Sequence, residues 1–69
     1  MNDLDRQLHE LMLELEGKDK IMDEQTTRLF NLNNNLFKDI PEYNRSCPAC
    51  RERVYNRLKT YWERIKTNM

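Results

Sequence analysis

Sixty-nine residues with 38% hydrophobic content and a mean hydropathy of −1.03 make a single small domain, 1–69. A chain this short buries only about 60% of its unfolded surface, so its own core is marginal and a metal, a disulfide or a partner is expected to complete it. No apolar run approaches the roughly 20 residues of a bilayer span, and the acidic start Met1-Asn2-Asp3-Leu4-Asp5 is unlike a signal peptide; the expectation is a cytoplasmic or virion protein with no membrane partner.

Net charge is zero, but residues 1–42 carry ten acids against five bases and residues 43–69 seven bases against two acids. That asymmetry suits an antiparallel helix pair, a head-to-tail assembly or an anionic partner for the basic end.

Asn2 or Asp3 can cap a first helix, with Asp3 and Asp5 at the positive end of its dipole. A heptad frame follows. Leu8, Leu15, Met22, Leu29 and Leu36 stand at seven-residue intervals, and Leu4, Leu11 and Leu32 fill the second apolar position of the same frame. Lys18, Gln25 and Asp39 interrupt it. Gly17 costs a helix interior about 1 kcal/mol relative to Ala, which bends or breaks the element. Two readings follow: one long amphipathic helix over about 3–36, which is the favoured one, or a helix pair with Gly17 as C-cap and Asp19 capping the second helix. A continuous helix over residues 4–36 would be about 50 Å long, and only a partner could cover its stripe.

The weak helix formers Asn33-Asn34-Asn35 and the restriction that Pro41 places on Ile40 end the first helical region between about 34 and 39. A loop over about 37–46 follows, with Ile40 and Tyr43 expected to pack beneath it. Ser46 or Cys47 then caps a last helix, over about 47–67, with Pro48 in its first turn. Val54, Leu58, Tyr61 and Ile65 form its apolar stripe, flanked by Tyr55, Trp62 and Met69. The predicted fold is all-α, a coiled-coil-like helical hairpin that oligomerises.

The candidate partner surface is the seam Leu4, Leu8, Leu11, Leu15, Met22, Leu29, Leu32 and Leu36 together with Tyr61 and Trp62. Arg51, Arg53, Arg57, Lys59, Arg64 and Lys66 occupy the other face of the last helix and offer phosphate contacts, which makes a nucleic-acid accessory role an alternative. His9 lies beside the seam and reads as a satisfied or exposed histidine rather than a ligand.

Cys47-Pro48-Ala49-Cys50 is the most specific motif in the chain. Two thiolates at this spacing can hold one face of a zinc ion, but structural zinc needs four ligands, so Cys47 and Cys50 would bind it with the same pair from a second chain. Through Cys47, Pro48, Cys50 and the flanking helices the pattern resembles the zinc hook at the apex of the long coiled coils of double-strand-break repair ATPases, where a CPxC loop pairs with its copy around one zinc; the likeness is of construction. Arg51 stands where zinc knuckles often carry glycine. The motif also resembles the active-site turn of thioredoxin-like oxidoreductases, whose sheet has no counterpart among the patterns here; a cysteine at a helix N-terminus near Arg45, Arg51 and Arg53 nonetheless suits a dithiol redox switch. The third reading is a pair of half-buried thiols that simply pack.

No glycine-rich phosphate loop and no nucleophile–base pair beyond these thiols is present, so neither an enzyme nor a small-molecule substrate is expected. The sequence points to a non-enzymatic interaction or assembly protein, an adaptor, accessory subunit or minor structural component binding itself or another protein. Its eight asparagines suit a phage or mobile-element gene.

Overall fold

The structure, a computed structural model, describes residues 2–17 and 20–67. It holds three helices: α1 (Asp3–Leu15), α2 (Asp23–Leu36) and α3 (Pro48–Thr67). Each packs against the other two. Among the described residues no helix is long and apolar enough to cross a membrane.

The continuous helix expected over 3–36 is therefore two helices. Asn2 caps α1 as expected, its Oδ1 accepting the Asp5 backbone N–H at 2.8 Å. The helix ends where Glu16 turns extended and Gly17 takes φ +80°, a left-handed conformation that only glycine adopts without strain. The reversal lets the leucine faces of α1 and α2 cover each other, a gain that outweighs continuing the helix with its stripe open. Asp19, the expected cap of a second helix, lies outside the described residues, as do Lys18 and Met69. The N-cap of α2 is Met22, whose backbone N–H is accepted by Gln25 Oε1 at 3.0 Å. Glu14 and Arg28, paired at 3.0 Å, bridge α1 and α2 on the outside.

The core consists of Leu8, Leu11, Met12 and Leu15 from α1, Leu29, Phe30 and Leu32 from α2, and Val54, Leu58 and Trp62 from α3. Leu4, Leu36 and Tyr61 pack at its edge. The seam that heptad spacing assigned to a partner is thus largely the chain's own interior: Leu8, Leu11, Leu15, Leu29 and Leu32 have α3 and one another as neighbours and are not free to dock. Met22 departs from the seam altogether and is 62% exposed, because the reversal after α1 carries it out of the common face.

The loop after α2 is held by polar contacts rather than by the apolar packing expected of Ile40 and Tyr43, which are 48% and 78% exposed. Asn34 fastens it: Oδ1 accepts the Glu42 backbone N–H at 2.8 Å and Nδ2 donates to the Glu42 carbonyl at 2.9 Å. Its neighbour Asn33 is fully buried and accepts from Arg57 Nη1 of α3 at 2.8 Å. The asparagine run does not end α2 by propensity. It lies in the last turns of the helix and ties them to the loop.

Candidate functional site

Pro48 opens α3 because a first helical position needs no N–H, and this leaves Cys47 as the cap. The Cys47 carbonyl accepts the Arg51 N–H at 3.0 Å, and its Sγ takes the role usually filled by a serine or aspartate oxygen, accepting the Cys50 backbone N–H at 3.2 Å. Both cysteines are free thiols and partly exposed. They stand together on one first turn, fixed by the helix and not by a flexible loop.

Their environments differ. Cys47 is held below the ordinary thiol range, first by a hydrogen bond from the Cys50 side chain, then by the backbone N–H groups of Cys50 and Ala49, with the Arg53 charge adding to them and burial opposing. Cys50 is pushed up by the same side-chain bond, by burial, and by the charges of Cys47 and Glu42. Glu42 and Arg53 form an ion pair at 2.8 Å, so the residue clamped by Asn34 also positions the arginine beside the thiols. Arg53 was expected near the thiols, but Asn34 and Glu42 were not legible as its supports, since they are far away in sequence and only the loop geometry aligns them.

A groove of about 580 Å³ begins beside this turn, with Leu15, Ile21, Leu29, Pro48, Arg51 and Tyr55 among its lining residues. Among the described residues no group of three or more histidines, cysteines, aspartates or glutamates is placed to hold a metal ion. His9 is engaged elsewhere, accepting the Trp62 indole N–H on Nδ1 at 2.9 Å.

The six basic residues of the last helix do not form one open surface. Arg53 pairs with Glu42, Arg57 binds Asn33 and lies over the Phe37 ring at 5.9 Å, and Lys66 Nζ sits 4.0 Å from the centre of the Trp62 ring. Arg51, Lys59 and Arg64 are exposed. Tyr61 and Trp62, assigned to a partner, serve the fold: the Tyr61 hydroxyl donates to Asp5 at 2.6 Å and its ring meets Phe37 edge-on.

No protein family, curated protein or solved structure matches the chain.

Proposed function

We propose that this chain is a non-enzymatic helical assembly domain that joins to a second copy of itself, the two Cys47–Cys50 pairs enclosing one zinc ion. The observation that carries this reading is the placement of both partly exposed sulfurs on the first turn of α3, with a backbone N–H already directed at Cys47 Sγ. Backbone donors of this kind support a zinc-bound thiolate, and one such pair supplies half of a tetrahedral site. A zinc ion with four thiolates is a net anion, which the positive end of the 20-residue α3 from each copy would offset. The closed core supports the same direction, because the leucines are already covered and the α3 turn offers the specific chemistry left at the surface. The nucleic-acid reading is weaker, since Arg53, Arg57 and Lys66 have partners within the fold.

Metal analysis with sedimentation tests it. Protein purified without chelator should carry one zinc per two chains and sediment as a dimer, and Cys50→Ser should lose zinc and dimer together. Zinc at one per chain in a monomer, or a metal-free protein with two titrating thiols, would overturn it.

A further inference from the structure

We infer that Cys47 and Cys50 also form a thiol–disulfide pair that exchanges with low-molecular-weight disulfides, Cys47 attacking and Cys50 resolving. This deepens the reading above by naming a control on the same two sulfurs, yet the exchange itself needs no zinc.

Thiol–disulfide exchange needs a thiolate that is accessible and held in place, and a second thiol close enough to displace the first adduct. Cys47 meets the first need. Its Sγ caps a long helix, accepts the Cys50 N–H at 3.2 Å and is partly exposed. Pro48 contributes by lacking an N–H, so that the first donors of the turn are those of Ala49 and Cys50, and the Cys50 N–H meets Cys47 Sγ. Cys50 meets the second need, since it stands three residues on in the same first turn and its own backbone N–H reaches Cys47 Sγ at 3.2 Å.

In the first step the Cys47 thiolate attacks one sulfur of RS–SR, a new S–S bond forms, the old one breaks, and RS⁻ leaves to take a proton from water. Cys47 now carries the adduct and no negative charge, and its sulfur stays beside Cys50 on the same turn. Cys50 gives its proton to solvent and attacks Cys47 Sγ, releasing the second RS⁻. Counted from the dithiol, the protein loses two protons and two electrons, and the small disulfide takes up the same number to become two thiols. Because the disulfide occupies both sulfurs, the oxidised chain cannot offer thiolates to zinc.

The test uses the reduced, zinc-free full chain and oxidised glutathione, followed by intact mass. The wild-type chain should lose two hydrogens and retain no adduct. Cys50→Ser should stop at one glutathione per chain, and Cys47→Ser should react about tenfold more slowly than Cys50→Ser. Equal rates for the two variants, a lasting adduct on the wild type, or only disulfide-linked dimers would each overturn the inference. Zinc content, measured separately on the reduced protein, keeps the two readings apart: a chain that binds no zinc but closes its disulfide fails the assembly reading alone, and a zinc-joined dimer whose stripped chain does not exchange fails only this one.

Discussion

Trp62 donates its indole N–H to Nδ1 of His9 at 2.9 Å, joining α3 to α1 across 53 positions of sequence. Trp62 is 7% exposed, so its polar edge needs this partner, and the bond fixes the tautomer of His9 with its hydrogen on Nε2. Trp62→Ala should cost about 3–5 kcal/mol in urea unfolding, and His9→Leu about 1–3 kcal/mol, because it leaves the indole N–H without an acceptor. The double variant should cost less than the sum of the two. A Trp62→Ala cost below about 1 kcal/mol would show that α3 is not docked through this ring.

Gly17 is a second point of leverage. A Cβ there would meet nothing within 4 Å, so substitution costs stability through φ alone. Gly17→Ala should destabilise by about 1–2 kcal/mol and Gly17→Asn by distinctly less, since asparagine tolerates the left-handed region. If Gly17→Ala instead raised stability and the apparent length in solution scattering, α1 and α2 would be joining into one helix.

The fully buried Asn33 links α2 to Arg57 of α3. Asn33→Ala should destabilise by about 1–3 kcal/mol, as Arg57 loses its shorter acceptor next to the Phe37 ring and keeps only the Ile40 carbonyl at 3.4 Å. Thermal unfolding of Asn33→Ala and Arg57→Ala, singly and together, checks this; additive losses would mean the two side chains act independently.

Tyr61 gives a pH signature. Its hydroxyl is pushed above the ordinary tyrosine range, first by its hydrogen bond to Asp5, then by burial and the Asp5 charge. The folded state therefore binds the phenolic proton more tightly than the unfolded one. The stabilisation is complete below the unfolded value of about 10 and is lost as pH rises through the raised folded value. The stability difference between wild type and Tyr61→Phe should be flat at neutral pH and shrink above about pH 10. A difference that grew with alkalinity would contradict the Asp5 contact.

Much of the local structure is written in single residues: Asn2 starts α1, Pro48 opens α3, and the spacing of Leu8, Leu11, Leu15, Leu29 and Leu32 marks one apolar face. Periodicity states which face is apolar, but not what covers it. The identity of the cover depends on whether Gly17 bends or reverses the chain, and that is settled by the burial gained when two leucine faces meet, a tertiary quantity that helix propensity does not contain. The same limit explains the asparagines. Propensity marks Asn33 and Asn34 as weak helix formers, while their use as clamps depends on Glu42 and Arg57 arriving from other elements. At the candidate site the capping role of Cys47 follows from Pro48, whereas the chain from Asn34 through Glu42 to Arg53 needs the folded loop.

The hold that Asn34 has on Glu42 requires an amide, with one oxygen to accept and one nitrogen to donate. A carboxylate at the same place keeps the bond from the Glu42 N–H but sets an oxygen against the Glu42 carbonyl. An Asn34→Asp chain would therefore hold Glu42 less firmly from the end of α2, and with it the ion pair to Arg53, changing the setting of Cys47 and Cys50 with no change to either cysteine.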